Sequence, residues 1–320
     1  KWFPPELICE SFPGQFKNWF YSLLVMSAVL ENTAPVKTIF GYASVRDEKG
    51  EEMHKSKGNA IWFDEAVERM GADPMRWHYA KHNPEYNLLF GWRALEETKK
   101  TLLTLQNCFT FFNTYAGKNS KARHRSKNLL DRWIVSRLQS LIYKYKLNLD
   151  EYHVSVATAA VEKFFVNDLS LWYVRRSRKR FREENTKRDR QAAESVLRFT
   201  LFNLLKLTAP IIPFLAEELY QIIRSKNMPE SVHFGDFPKA NRKLIDLKLE
   251  SKMRKAREIV TLALAQRAKA GIKVRQPLAA IKIRNPKLAE NSIFLSPRAS
   301  RSRGAVSELR NDKALLNLIK

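Results

Sequence analysis

Between Trp92 and Ile223 apolar side chains return every three or four residues, and that recurrence commits the middle of the chain to helices packed along one face. The first stretch, Trp92 to Tyr115, carries Leu95, Leu102, Leu103, Leu105, Phe109 and Phe112 at these steps. Leu129 to Leu147 carries Leu130, Trp133, Ile134, Leu138, Leu141 and Ile142. Val156 to Arg182 carries Val161, Phe164, Phe165, Leu169 and Trp172, and Ala192 to Leu207 carries Val196, Phe199, Leu201 and Leu204. Pro210 and Pro213 interrupt the pattern before Phe214 to Ile223 resumes it. Long helices with short joins describe a bundle. Met253 to Ala270 reads as one further amphipathic helix stopped by Gly271, followed by Ile272–Gln276 and Ala280–Ile283. These last two segments alternate apolar with basic or polar residues, as small strands do. The tail from Ser292 is polar and weakly periodic, with a short helix expected only over Lys313–Ile319.

The first ninety or so residues differ. Val36 to Val45 is rich in β-branched and aromatic residues and runs into Asp47-Glu48-Lys49-Gly50, so a strand ending in a tight turn is expected. After a loop from Glu51 to Asn59, Asp64 is placed to cap a short helix bearing Val67 and Met70 and closed by Gly71. Asp73-Pro74 then opens the next helix, Asp as cap and Pro at the first helical position. The fold class read from the chain is thus α/β followed by mostly α. The basic, aperiodic stretch Gly117–Lys127 is the best linker.

Charge narrows the function. The 320 residues hold 57 Lys and Arg against 33 Asp and Glu, a formal charge of +24, which asks for a polyanionic partner. Only Cys9 and Cys108 are present, so no disulfide framework or zinc knuckle can be built, and a reducing compartment fits. No run of about 18 apolar residues occurs, so a membrane span is not expected. The opening Lys1-Trp2-Phe3-Pro4-Pro5 has neither secretory nor transit character and reads like a chain entered in mid-domain.

One loop has the make-up of a phosphate site. In Met53-His54-Lys55-Ser56-Lys57-Gly58-Asn59, Lys55 and Lys57 are mobile point charges, Ser56 offers a hydroxyl, and Gly58 lets the backbone approach an anion. The ordinary alternative is a solvated basic loop. The segment resembles the Lys-Met-Ser-Lys-Ser signature loop of class I aminoacyl-tRNA synthetases with the Gly-Asn that closes it. Glu52 stands at the first Lys and His54 at the first Ser, whereas Lys55 and Ser56 keep the second Lys and the last Ser.

Six further segments resemble landmarks of the isoleucyl-tRNA synthetases in the same order. They are Glu10–Tyr21, Gly71–Arg76, Leu130–Trp133, Trp172–Arg178, Ala209–Tyr220 and Lys273–Leu278. The resemblance implies an ATP-dependent ligase that activates L-isoleucine as its adenylate and passes the acyl group to tRNA(Ile). It brings ATP with Mg2+ as substrate, no metal site in this chain, and a cytoplasmic setting away from membranes. By the same carry-over Lys55 and Ser56 are catalytic, and Met53, His54, Lys55 and Lys57 bind ATP. Glu10, Gln15 and Trp19 meet the aminoacyl-adenylate, with Trp19 walling the side-chain pocket. The family's N-terminal His-Ile-Gly-His-type motif and its editing domain are missing from this sequence, so residues 1–95 are expected to be the C-terminal part of a split Rossmann-like nucleotide-binding domain. Residues 96–128 would connect it to a helical anticodon-binding domain over 129–291 with small β elements, leaving 292–320 as a tail. A free-standing tRNA- or RNA-binding helical module, and a valyl- or leucyl-tRNA synthetase relative, are the competing readings.

Two cationic groups are candidates for tRNA contact. Arg175, Arg176, Arg178, Lys179 and Arg180 place five cations within six residues, more than a helix end needs to complement its dipole. Lys273 and Arg275 form the second group. Other residues receive plainer readings. His78, His82, His153 and His233 share no ligand spacing, Trp133 and Trp172 sit at core periodicity, Cys9 is expected as a small buried thiol, and Asp168 as a bond to a neighbouring helix.

Overall fold

The structure is a computed structural model that describes residues 3–116, 122–182 and 186–276 and the backbone of strands Ala280–Ile283 and Ile293–Ser296. It divides into two compact units, residues 1–123 with 140–240, and residues 124–139 with 241–320.

The first unit opens with a parallel β-sheet. β1 (Leu7–Ser11) pairs with β2 (Thr38–Tyr42) in the register Leu7 to Thr38 and Ser11 to Tyr42, and α1 (Trp19–Glu31) makes the crossover that parallel strands require. The chain passes through Ala43 and Ser44 into β3 (Val45–Arg46), which pairs in parallel with β4 (Leu88–Leu89). The second crossover is made by α2 (Phe63–Met70) and α3 (Ala72–Lys81). Ala66, Met70, Met75, Leu88, Phe90 and Leu95 close a small core beneath it.

Two helix starts differ from the sequence reading. Asp64 lies inside the first turn of α2, after Trp62 as cap, where its charge faces the positive end of the helix without a capping bond. Asp73 likewise lies inside α3, which begins at Ala72. Its carboxylate is spent 142 residues away, where Oδ2 accepts the Leu215 amide at 2.5 Å. That amide belongs to the first turn of α9 (Pro213–Ile223), which has no side-chain cap of its own, so Asp73 serves as one. One turn along α3, Arg76 donates to the carbonyls of Ile211 (2.7 Å) and Pro210 (3.1 Å). The segments Gly71–Arg76 and Ala209–Tyr220, read separately in the sequence, are thus a single polar clamp. Burial pushes the Asp73 carboxyl above its ordinary value, against the pull of the Leu215 and Phe214 amides and Arg76.

α4 (Trp92–Tyr115) has the bounds the periodicity predicts. Its start is capped from outside: the Glu48 carboxylate accepts the Arg93 amide at 2.8 Å. Gly91 is needed for this, because a Cβ there would lie 1.9 Å from Glu48 Cγ. Gly91→Ala is expected to expel Glu48 and cost about 1–2 kcal/mol, the usual worth of a lost cap. Thermal unfolding of Gly91→Ala and Glu48→Ala checks this, since both lose the same cap and their effects should not add.

Beyond α4, the stretch expected as one helix over Val156–Arg182 is divided. It comprises α6 (Val154–Lys163), a π-helical segment Phe164–Val174, the short α7 (Arg175–Ser177) and a 3-10 turn Arg178–Phe181. The widened segment buries Phe164, Phe165, Asp168, Leu169, Trp172, Tyr173 and Val174 against α4 and α6. Neither Gly nor Pro marks the change; it answers to its neighbours in space. α8 (Lys187–Thr208), capped by Thr186, packs Val196, Leu197, Leu201 and Leu204 into the same core. The Tyr145 hydroxyl donates to the Leu207 carbonyl at 2.9 Å, and Trp77 Nε1 donates to Glu162 Oε2 at 2.9 Å.

α5 (Leu129–Asp150) contributes its first half to the second unit and its second half to the first. In the second unit α10 (Leu247–Lys269) is capped by Asp246, whose amide donates to Ser136 Oγ at 2.8 Å. Glu250 accepts from Ser136 Oγ at 2.5 Å and from Arg137 at 2.9 Å. Ile272–Gln276, expected as a strand, is a turn, because Arg267 reaches past the end of α10 and binds the carbonyls of Lys273 and Gln276. β5 (Ala280–Ile283) does form, and pairs antiparallel with β6 (Ile293–Ser296), a strand in the tail that the weak periodicity hides. The helix expected over Lys313–Ile319 lies outside the described residues.

Candidate functional site

The loop from Met53 to Gly58 is built on a fixed base. Asp47 follows β3 and opens the turn to Gly50, whose amide donates to the Asp47 carbonyl at 3.0 Å. Asp47 Oδ1 accepts the amides of Lys49 (2.9 Å) and Glu51 (2.8 Å), and Oδ2 accepts from Asn59 Nδ2 at 2.9 Å. These bonds, with the Asn59 bond the strongest, hold the Asp47 carboxyl below the usual aspartate range. Asn59 also donates to the Glu52 carbonyl (3.1 Å) and accepts the His54 amide (2.9 Å), joining both limbs of the loop.

On this base the tip folds back in a 3-10 turn, Lys55–Lys57, closed by Gly58 at φ 67, a left-handed conformation that a side chain would strain. Lys55, Ser56 and Lys57 are exposed. The Lys55 ammonium rests 4.5 Å from the Trp62 ring centroid, a contact worth about 0.5–1 kcal/mol at an exposed site and therefore easily exchanged for a stronger anion. Glu52 pairs with Arg46 at 3.2 Å and lies 3.5 Å from His54 Nε2.

Glu10 lies near the end of β1, where Oε1 accepts from the Tyr42 hydroxyl (3.1 Å) and the Ser11 amide (2.9 Å). Gln15 follows in the 3-10 turn Gly14–Lys17, and Trp19 is the first residue of α1, 45% exposed with its ring on Phe20. Glu10 near the carboxyl end of β1, Gln15 and Trp19 beyond it, and the loop beyond β3 all lie towards the carboxyl ends of parallel strands, the edge at which open α/β sheets receive ligands.

The arginine-rich run separates into different roles. Arg175, Arg178 and Lys179 are exposed, and Arg176 lies over Trp172 at 4.6 Å. Arg180 departs from the rest: it is 8% exposed and grips the Asp189 carboxylate with two bonds, Nε at 2.9 Å and a terminal nitrogen at 2.8 Å, tying the turn to α8. Its guanidinium is a structural cation. In the second unit Lys273 and Arg275 are exposed on the turn after α10.

Among the described residues no group of three or more His, Cys, Asp or Glu is placed to hold a metal ion, and no helix is long and apolar enough to cross a membrane. Trp133 and Trp172 are buried, as their periodicity implies. Cys9, expected to be buried, is exposed on β1, whereas Cys108 is enclosed beside Ser170 with its thiol pushed up to about 12 by burial. Neither sulfur is activated: beside Cys9, partial burial and the Glu10 charge also raise the pKa. The residues that sequence reasoning missed are Asp47 as anchor, Asn59 as the tie between the two limbs, and Glu48 as the cap of α4. Each acts on a group that chain order does not place beside it.

The chain is similar to known proteins along most of its length. The family profile for tRNA synthetases class I (I, L, M and V) matches residues 1–88, and that for the anticodon-binding domain of tRNA ligase matches residues 131–283. The crystal structure of an Agrobacterium radiobacter LeuRS–tRNA–LeuAMS ternary complex superposes with a TM-score of 0.62 at 19% identity, covering 76% of this chain and 29% of that one. The profile match, with parallel βαβ crossovers followed by a helical region, marks the chain as part of a class I aminoacyl-tRNA synthetase. The isoleucine–tRNA ligase of Thermus thermophilus is 37% identical over 304 residues, covering 89% of this chain and 29% of the relative. That of Pyrococcus abyssi is 38% identical over 286 residues, covering 87% and 27%. The chain belongs to the isoleucyl-tRNA synthetases, of which it matches the C-terminal, anticodon-binding portion. It spans less than a third of the length of these relatives.

Proposed function

We propose that this chain supplies two parts of an isoleucine–tRNA ligase: the loop that stabilises pyrophosphate during activation of L-isoleucine, and the surface that holds tRNA(Ile). The observation that carries the reading is the exposed cationic tip Lys55-Ser56-Lys57 on a hydrogen-bonded base after β3. In the reaction the isoleucine carboxylate attacks the α-phosphorus of ATP, the bond to the β-phosphate oxygen breaks, and pyrophosphate departs with the growing negative charge. A cation that leaves the face of Trp62 to meet this charge favours the transition state over the ground state. Lys55 takes this role, aided by Ser56 and by Lys57, which restores near the tip the positive charge that Glu52 removes. Met53 and His54 flank the nucleotide, which brings its own Mg2+, and Glu10, Gln15 and Trp19 meet the adenylate.

Residues 1–95 are read as one part of a split nucleotide-binding domain. α1 supports this, because Tyr21, Met26, Val29 and Leu30 are 58–76% exposed, a bare apolar face that suits coverage by further polypeptide rather than a free-standing RNA-binding module. Residues 129–291 are read as the anticodon-binding domain of a cytoplasmic enzyme, with Arg175, Arg176, Arg178, Lys179, Lys273 and Arg275 on tRNA.

The nucleic-acid half is tested on the chain as it stands. With about five phosphate contacts, affinity for tRNA should fall about 10²–10³-fold between 50 and 200 mM salt as counterions are released. Replacing Arg175, Arg178 and Lys179 together by Ala should lower the slope of log K against log salt by about 2–3. Salt-independent binding, or none at low salt, refutes it.

A further inference from the structure

We propose that Asp47 and Asn59 form the pivot on which the Met53–Gly58 loop closes over pyrophosphate, as positioning residues that act through Lys55. The proposal rests on the pyrophosphate role given to the loop above. The loop has two mechanically different parts. Its base is tied at every side-chain polar atom of one residue: Asn59 Nδ2 donates to Asp47 Oδ2 (2.9 Å) and the Glu52 carbonyl (3.1 Å), and Asn59 Oδ1 accepts the His54 amide (2.9 Å). Asp47 is in turn anchored, because its other oxygen holds the turn through the amides of Lys49 and Glu51. The next residue, Glu48, fastens that turn to the start of the 24-residue helix α4.

The tip is tied mainly to itself. The Lys57 amide donates to His54 and the Gly58 amide to Lys55, and the left-handed Gly58 joins tip to base. A rigid base, a compact tip and a glycine between them are the parts of a hinge, where a few backbone angles absorb the motion. The bond between Asn59 and the Asp47 carboxylate is charge-assisted and so among the stronger ones available at a surface. Without it, the two limbs would have to be ordered when the anion binds, and affinity would fall by that ordering cost.

The test titrates the 320-residue chain with magnesium pyrophosphate by calorimetry and follows hydrogen exchange at residues 53–58. Asn59→Ala and Asp47→Asn are each expected to weaken binding about tenfold and to speed exchange of the loop amides, with the melting temperature held within about 2 °C. Asp47→Asn keeps the shape of the anchor and the acceptor for the turn amides, so it serves if Asn59→Ala perturbs folding. Lys55→Ala should weaken binding without changing exchange at the base, and adding Asn59→Ala to it should cost clearly less than the roughly tenfold seen alone, since the pivot works mainly through the Lys55 ammonium. Unchanged affinity in Asn59→Ala and Asp47→Asn alongside a loss in Lys55→Ala overturns the pivot alone, as do losses at Asn59 and Lys55 that multiply in full. Failure of the unsubstituted chain to bind pyrophosphate overturns the reading of the loop and the pivot with it.

Discussion

Lys55→Ala in a full-length ligase carrying this chain is expected to slow adenylate formation by about 10²–10³-fold, the scale of removing one preorganised charge-stabilising group. Affinity for tRNA should stay within about twofold, because one phosphate-distant cation changes the counterion balance little. The expectation comes from geometry. The Lys55 ammonium is exposed, rests on the Trp62 ring at 4.5 Å, and stands on a loop whose base is already ordered. Little must be broken for it to reach an anion, so its removal should appear in the chemical step and leave substrate affinity less affected. Lys55→Arg should recover only part of the rate, since a planar fork replaces a compact point charge. Pre-steady-state measurement of adenylate formation checks this. Equal losses in adenylate formation and tRNA affinity would mean that the loop is not a pyrophosphate site.

Trp77→Ala is expected to remove about 3–5 kcal/mol of stability, the range for deleting a large buried aromatic side chain. Trp77 is wholly buried, packs on Phe165 with ring centroids 5.9 Å apart, and donates Nε1–H to Glu162. Glu162 is shared with Lys81 at 2.5 Å, so α3 is held to α6 by packing and by a polar link together. For a unit of this size the loss corresponds to a fall in Tm of about 6–20 °C. Trp77→Phe keeps most of the volume and gives up the hydrogen bond, for about 1–2 kcal/mol. Circular dichroism during thermal unfolding separates the two, and a Tm within about 3 °C of the unsubstituted chain in Trp77→Ala would show that α3 is not docked as described.

Where one helical face meets one core, residue order was a reliable guide. Five of the six apolar positions named for α4 are buried, Leu103 being half exposed, and the helix has the predicted ends. The turn, loop and short helix around Lys55 also appear in the order read from composition, whereas the single strand expected over Val36–Val45 is divided into β2 and β3, which pair in separate sheets. Failures share a cause. Asp64 and Asp73 have the composition of caps, yet neither caps its own helix, and the Asp73 carboxylate is claimed by an amide 142 residues away. Arg180 belongs to a cationic run by count, but Asp189 captures it. The π-helical segment keeps an ordinary helical pattern of apolar residues and differs only in what surrounds it.

From residue order alone came everything that depends on spacing along the chain: which stretches are amphipathic, where a basic loop interrupts them, and that the whole carries +24. Partnership across the fold came from the coordinates: Asn59 on Asp47, Glu48 on α4, Asp73 and Arg76 on the turn before α9, Arg180 withdrawn onto Asp189. The division has a physical reason. Apolar burial is non-directional and follows periodicity, so it is written in local sequence, whereas a hydrogen bond or ion pair depends on a few tenths of an ångström between groups that only the folded backbone brings together.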